Sequence, residues 1–142
     1  MPSPSYKRVV AIDFGTKRIG LAKSDPLGMF AQPVGTFDID GLHAALENLL
    51  RQDGIDRIIV GYPLSDRGET NRMTSVIDSF VEKLGRWFPS LPVETVDEHR
   101  SSREARQILA GSGASRKKRN VKGRVDTAAA CVILQGYLDS AR

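Results

Sequence analysis

The feature that most constrains the fold is a run of residues, 8–14 (RVVAIDF), in which Asp13 is the one polar side chain between Val9 and Phe14. A continuous β-branched and apolar run of this length is typical of a central strand covered on both faces. A buried carboxylate without compensation is energetically expensive. Asp13 therefore needs a metal ion, a basic partner or water at the strand's end, unless it caps the turn in Asp-Phe-Gly-Thr.

Elsewhere the apolar residues recur with the period of strands or of helices. The predicted strands cover residues 8–14, 18–24, 30–37, 57–61 (ended by Gly61) and 93–96, and the predicted helices begin near Asp40, Met73, Ser102 and Val125. Three consecutive strands followed by alternating helices and strands imply an α/β fold, with a mixed five-stranded sheet flanked by helices. This order predicts the ribonuclease H-like arrangement.

The bulk properties fit one ordinary domain. The chain has 142 residues, of which 40% are hydrophobic and 27% charged, as in globular proteins. We expect residues 1–6 to form a disordered lead and residues 7–142 to form a single domain. No segment is long and apolar enough to cross a membrane or to act as a signal peptide, so we expect a cytoplasmic protein. One cysteine and two histidines argue against a Cys/His zinc site.

Two further carboxylates can join Asp13. Glu98 follows Asp97 after a strand, and Asp126 falls in the predicted first turn of the last helix. Each has an ordinary alternative, a solvated acidic turn for Glu98 and helix capping for Asp126. Together, however, they can converge with Asp13 at one sheet edge, and clustered carboxylates need a cation between them. All-oxygen ligands favour Mg²⁺ or Mn²⁺, and two such ions can clamp a phosphodiester.

Basic residues flank two of these carboxylates, and the net charge is +4. Lys17 and Arg18 follow the Asp13 corner and either contact a phosphate or form an exposed hairpin tip. A second group, Arg116, Lys117, Lys118 and Arg119, lies in a stretch, residues 111–124, that we expect to be a mobile loop. This group either grips a polyanion or is an ordinary solvated loop. A nucleic-acid substrate is therefore predicted, and a base-specific contact is not.

Several segments along nearly the whole chain resemble the YqgF or RuvX-like family of pre-16S ribosomal RNA nucleases, which are related to Holliday junction resolvases. These segments are residues 11–20 (AIDFGTKRIG), 24–28 (SDPLG), 60–64 (VGYPL), 97–98 (DE), 125–130 (VDTAAA) and 133–135 (ILQ). The resemblance implies metal-dependent hydrolysis of phosphodiester bonds in maturing the 5′ end of 16S ribosomal RNA, with Asp13, Glu98 and Asp126 as catalytic metal ligands.

The chain departs from the family pattern where Asp-Glu is usually followed by Arg. Here the sequence reads Asp97-Glu98-His99-Arg100, so the basic residue is displaced or replaced. Many ribonuclease H-like enzymes also carry a carboxylate on the fourth strand. Residues 57–61 contain no carboxylate, so we expect Glu98, at the next strand, to take the place of the fourth-strand carboxylate.

Three other functions remain open from the sequence. One is a resolvase that cuts branched DNA, which requires a dimer, whereas a nuclease acting on structured RNA or ribosomal precursor particles can be a monomer or a weak dimer. Another is a nucleic-acid-binding module of the same fold without catalysis. The third is an ATP-binding phosphotransferase of the sugar-kinase type, which shares Asp-x-Gly-Thr but needs a second domain.

Overall fold

The structure, a computed structural model, describes residues 7–15, 18–62, 72–97 and 118–141, with the backbone alone for residues 72, 73, 97, 118–126 and 141. The described strands are β1 (Arg8–Phe14), β2 (Ile19–Ser24), β3 (Ala31–Phe37), β4 (Ile55–Tyr62) and β5 (Val93–Asp97), and the helices are α1 (Ile39–Gln52), α2 (Arg72–Trp87) and α3 (Lys118–Ala141). The helix expected near Ser102 lies outside the described residues, as do residues 1–6. No helix in the described ranges has the length and apolarity that a membrane span requires.

The five strands form one sheet in the order β3-β2-β1-β4-β5. β1 pairs antiparallel with β2, and β2 with β3, whereas β1 pairs parallel with β4, and β4 with β5. The predicted mixed five-stranded sheet of the ribonuclease H-like fold is confirmed. The residues Phe14, Tyr62 and Asp97, which end the three parallel strands, lie along one edge, which we name the carboxyl edge.

Each face of the sheet carries its own core, because successive residues of a strand point to opposite sides. Val10 and Ile12 of β1 belong to the core that α1 and α2 cover. Ala11 belongs to the other core, in which Ala130, Ile133 and other residues of α3 pack. We name this second side the α3 face. β1 is thus buried on both sides, as its unbroken apolar run predicts.

Most element boundaries lie within two residues of the sequence-based expectation, and two of the differences change the interpretation of a named residue. α1 begins at Ile39, because Asp38 rather than Asp40 is the cap: its backbone is extended and its Oδ1 accepts the Gly41 N–H at 2.7 Å. β4 continues through Gly61 to Tyr62, because its ladder with β5 is unbroken as far as Tyr62. Gly61 therefore lies inside the strand and does not end it.

The largest difference concerns α3, which begins at Lys118 and not near Val125. The expected loop over residues 111–124 is wrong for its second part, residues 118–124. Its Gly and Ser residues are concentrated in residues 111–115, whereas residues 118–124 contain mainly Lys and Arg, which are good helix formers. As a result, the basic stretch runs directly into the helix that carries Asp126.

Candidate active site

Asp13 lies at the carboxyl edge with its side chain almost fully enclosed, at 6% exposure. It is the penultimate residue of β1 and comes two residues after Ala11. Its side chain therefore points to the same side of the sheet as that of Ala11, the α3 face. The other buried polar or charged side chains in the described residues are Ser24 and Thr74. The structure therefore holds a carboxylate at low exposure where the central strand ends, as the sequence predicts.

Small residues flank Asp13 on the α3 face. Gly20 of β2 is its direct cross-strand partner. On the other side, Gly61 follows Val60, the partner of Ile12, and Gly61 itself pairs with Val96 of β5. The row across the sheet therefore reads Gly20, Asp13, Gly61, Val96. Neither glycine was predicted to be part of the site, although a glycine inside a strand is itself a signal of close approach by another group.

The position of Asp126 in α3 excludes one interpretation of this residue. Because α3 begins at Lys118, Asp126 lies well inside the helix and not in its first turn. The capping alternative is therefore wrong, since only the first turn has free N–H groups. Asp126 comes one turn before Ala129 and Ala130, which are fully buried. A carboxylate at this point of the chain has no capping function to explain it.

Two hydrogen-bonding side chains hold the carboxyl-terminal half of α3 on the sheet. Gln135 accepts the Ala31 N–H through Oε1 and donates to the Met29 carbonyl through Nε2, both at 2.9 Å. Tyr137 receives a hydrogen bond from Arg57 Nη1 at 2.8 Å and donates to Glu94 at 3.1 Å. Since these contacts join α3 to β3, β4 and β5, they set the register in which the helix passes the sheet.

The opposite face of the carboxyl edge is also fixed. The Tyr62 hydroxyl donates to Asp78 of α2 at 2.9 Å, and the ring centroids of Phe14 and Phe80 are 4.5 Å apart. Desolvation, together with the hydrogen bond to Asp78, raises the pKa of Tyr62 above its ordinary value. α2 thereby packs against the ends of β1 and β4 and holds them in place, on the side of the sheet opposite to Asp13.

The remaining predicted site residues are described in part or not at all. Glu98, Lys17, Arg116 and Lys117 lie outside the described residues, and for Asp126, Lys118 and Arg119 the backbone alone is described. The described side chains accordingly contain no group of three potential metal ligands. Arg18 is exposed, and its carbonyl accepts the Gly15 N–H in the hairpin turn next to Asp13.

Among the proposed ligands, Asp13 is the one whose side chain is described, and its chemistry suits a divalent metal. Asp13 offers hard oxygen ligands, which Mg²⁺ and Mn²⁺ prefer. Gly20 and Gly61 place no side chain beside it on the α3 face.

Comparisons with known proteins agree on one family. The model of the RuvX family, described as Holliday junction resolvase, matches residues 7–140. A protein of Chlorobaculum tepidum is 65% identical over 140 residues, 99% of this chain and 99% of its own length. A protein of Salinibacter ruber is 44% identical over 135 residues, 95% of this chain and 94% of its own length. Both bear the name "Putative pre-16S rRNA nuclease".

A solved structure supports the fold independently. RuvC of T. thermophilus in complex with Holliday junction substrate aligns with a TM-score of 0.52 and 13% sequence identity, over 95% of either chain. At this identity the likeness bears on the fold, while the family follows from the sequence matches over nearly the full length. The chain belongs to the RuvX family.

Proposed function

We propose that this chain is a metal-dependent nuclease that hydrolyses phosphodiester bonds, with Asp13, Glu98 and Asp126 as ligands of Mg²⁺ or Mn²⁺. The nuclease class agrees with the names of the relatives and with the family description. The observation that carries the site is Asp13, a 6% exposed carboxylate that ends the central strand and is flanked by glycines. The proposed ligands Glu98 and Asp126 are supported by their sequence positions, directly after β5 and inside α3.

The chain's own contribution is to hold carboxylates in fixed positions. Asp13 is fixed because β1 is paired on both sides, and α3 is fixed by Gln135 and Tyr137. When bound, a pair of divalent ions supplies the activation of water and the stabilisation of the leaving 3′ oxygen. Such a rigid frame favours catalysis, because it spares reorganisation when the reaction occurs.

The basic residues supply the contact with a polyanion. The first turn of α3 contains Lys118 and Arg119 and no acidic residue. Cations at the amino end of a helix are unfavourable, by about 0.3–1 kcal/mol each, because the helix dipole is positive there. A nucleic-acid phosphate next to this turn would offset the repulsion. We propose that Arg116 to Arg119, with Lys17 and Arg18, bind the backbone of the substrate.

The substrate that we propose is the precursor of 16S ribosomal RNA, cleaved during maturation of its 5′ end. It is the substrate class that the names of the relatives give. The family description and the likeness to RuvC favour a second candidate, a four-way DNA junction. The two differ in geometry, since symmetric cuts in a junction require two active sites and hence a dimer.

A cleavage assay tests the proposal. Purified protein is incubated with a 5′-extended 16S RNA fragment or with a four-way DNA junction, with Mn²⁺, Mg²⁺ or a chelator. We expect cleavage of the RNA with either metal, and a loss of about 10²–10³-fold for Asp13→Asn or Asp126→Asn, because each removes several kcal/mol of charge stabilisation. Asp139→Asn, an exposed aspartate near the other end of α3, is the matched control and keeps full activity.

Each alternative has its own result in this assay. Cleavage of the junction alone, by a dimer in sedimentation, identifies a resolvase. Binding of RNA without metal-dependent cleavage identifies a non-catalytic module. Equal activity in wild type and Asp13→Asn places the reaction elsewhere and refutes the proposed site.

A further inference from the structure

The connection between β2 and β3, residues 25–30, which we name the apolar loop, carries apolar side chains that the fold leaves exposed. Five large apolar side chains are exposed in the described ranges, and three of them, Leu27, Met29 and Phe30, lie in this loop. Leu27 is 68% exposed and Phe30 is 61% exposed. The other two, Leu50 and Val76, lie singly on α1 and α2. Single exposed apolar residues are ordinary on a protein surface, whereas neighbouring ones commonly mark a contact site.

Hydrogen bonds hold the apolar loop in one conformation. The Asp25 N–H donates to the Phe30 carbonyl at 2.9 Å, while Asp25 Oδ1 accepts the N–H groups of Met29 and Phe30. From α3, Gln135 accepts the Ala31 N–H and donates to the Met29 carbonyl. Because the backbone that presents the apolar side chains is already ordered, binding a partner costs little conformational entropy.

The charges beside the apolar loop favour a basic partner over a nucleic acid. Asp25 is the one charged residue in its sequence. Asp139 is exposed in the last turn of α3, one turn after the residue that anchors the loop, and this turn contains no basic residue. The carboxyl end of a helix adds partial negative charge. Arg8 and Lys23, in the neighbouring strands, both lie against Asp53. A phosphate backbone would be repelled here, and a Lys- or Arg-rich protein would be attracted.

The size of this surface argues against a second copy of the chain as its partner. A standard interface buries about 800 Å² on each side, which is far more than three exposed side chains can supply. The adjoining strand β3 ends the sheet but does not extend the surface by strand pairing, because it contains Pro33, which has no N–H to donate. The loop is therefore suited to a small anchor that enters a pocket of a different protein.

The apolar loop and the basic first turn of α3 lie at opposite ends of the same helix. Lys118 and Arg119 begin α3, whereas Gln135 holds the loop near the other end. The helix has 24 residues and is therefore roughly 36 Å long. At this separation one end can contact RNA while the other contacts a protein that is bound to the same RNA. Such proteins carry clustered Lys and Arg residues, which match the acidic surroundings of the loop.

We propose that the apolar loop is a docking surface for a basic protein of the ribosomal precursor particle, with Leu27 and Phe30 inserted into an apolar pocket surrounded by Lys or Arg. This inference rests on the proposed function, because it takes the particle to be the natural form of the substrate. The contact adds affinity for RNA that is assembled with its proteins and none for the same RNA alone.

The test compares cleavage of 5′-extended 16S RNA alone with cleavage of the same RNA assembled with the proteins of the small ribosomal subunit. For the double variant Leu27→Gln, Phe30→Gln we expect KM on the particle to rise about 10- to 100-fold, as when anchor residues of an interface are removed. Its kcat should not change, since the contact is equal in ground and transition states. Its cleavage of the RNA alone should equal that of wild type.

The matched control removes two exposed apolar side chains from elsewhere on the surface. Leu50→Gln, Val76→Gln should leave KM unchanged on both substrates. Asp139→Lys tests the charge of the partner separately. It should raise KM on the particle, because it repels a basic protein, whereas a loop that touched RNA would bind more tightly with the added cation.

Each remaining outcome counts against a specific claim. If wild type cleaves neither substrate, the proposed function fails and the inference with it. If wild type cleaves the RNA but not the particle, or if the loop variant matches wild type on both, the inference alone is refuted. Equal losses on both substrates assign the loop to RNA, and a wild-type dimer that the loop variant dissociates in sedimentation assigns it to a second copy. If the double variant does not fold, Leu27→Gln alone decides, since this side chain is mostly exposed.

Discussion

A single carboxylate, Asp25, organises the loop between β2 and β3. Its Oδ1 accepts the N–H groups of Met29 at 2.7 Å and Phe30 at 2.8 Å. Within this loop Gly28 takes a positive φ of 70°, and Leu27 and Phe30 are exposed. The segment 24–28, which resembles the family, therefore has a structural function at the edge opposite Asp13.

The hydrogen bonds of Asp25 predict a pH dependence of the loop. The N–H of Phe30 and then that of Met29 lower the pKa of Asp25 below its ordinary value of 3.8. A lowered pKa means that the bonds stabilise the loop above pH 3.8 and are lost as the pH falls through the lower, folded value. The amide proton shifts of Met29 and Phe30 should titrate below pH 3.8 by NMR and show no such step in Asp25→Asn. A midpoint at or above 3.8 would contradict this.

At the level of residues, the sequence could predict Asp13 but not Gly61. A carboxylate in an otherwise apolar strand is visible because its burial must be compensated. Gly61 looks like a strand end, since glycine commonly ends apolar runs, and its row with Asp13 exists only once β1 and β4 are paired in register. Asp126 was placed correctly on the last helix but assigned to the wrong turn.

Among the elements, α3 is held on the sheet by hydrogen bonds of its own side chain Gln135 to the backbone at the start of β3. Gln135→Ala removes the hydrogen bond from the Ala31 N–H and the hydrogen bond to the Met29 carbonyl. We expect a loss of about 0.5–1.5 kcal/mol in the free energy of unfolding, measured by urea denaturation, because the bond to Ala31 is partly buried whereas water can replace the exposed one. Ser140→Ala, exposed on the same helix, should change it by less than about 0.5 kcal/mol. Equal effects of the two variants would show that Gln135 is not an anchor.

The strands were easier to predict than the helix ends. β1 and β4 each contain a continuous apolar run, residues 9–12 and 58–60, whose burial on both faces needs no knowledge of their neighbours. The starts of α1 and α3 depend instead on local alternatives. For α1, either Asp38 or Asp40 can cap the helix. For α3, the basic stretch from Lys118 can either belong to the helix or precede it as a loop. The starts of α1 and α3, together with the end of β4, are accordingly where the sequence-based expectation was wrong.

For the whole molecule, the order of elements was sufficient to predict the sheet. Short connections force β1, β2 and β3 into a meander, and the crossovers through α1 and α2 place β4 and β5 parallel to β1. Hence the ends of β1 and β5 share an edge whatever the side chains are. The details that decide chemistry, which residues share a row and how α3 passes over them, follow from packing and were not predictable.

The distribution of charge over the molecule predicts where nucleic acid binds. Lys118 and Arg119 begin α3, whereas Arg51 and Arg86 lie exposed in the last turns of α1 and α2, which lead to the opposite edge. Changing Lys118 and Arg119 to Gln keeps helix propensity but removes two charges. Each lost phosphate contact should flatten the dependence of log K on log salt by about 0.7 for single-stranded RNA, so by up to about 1.4 here.

The control for this measurement removes the same number of charges from the far edge. Changing Arg51 and Arg86 to Gln alters the net charge equally, so a general electrostatic attraction would respond the same way in both variants. Direct phosphate contact instead predicts a changed slope for the α3 variant alone, read from RNA-binding isotherms at several salt concentrations. Equal slopes in all three proteins would mean that the first turn of α3 does not touch the substrate, and that the repulsion within it is relieved in another way.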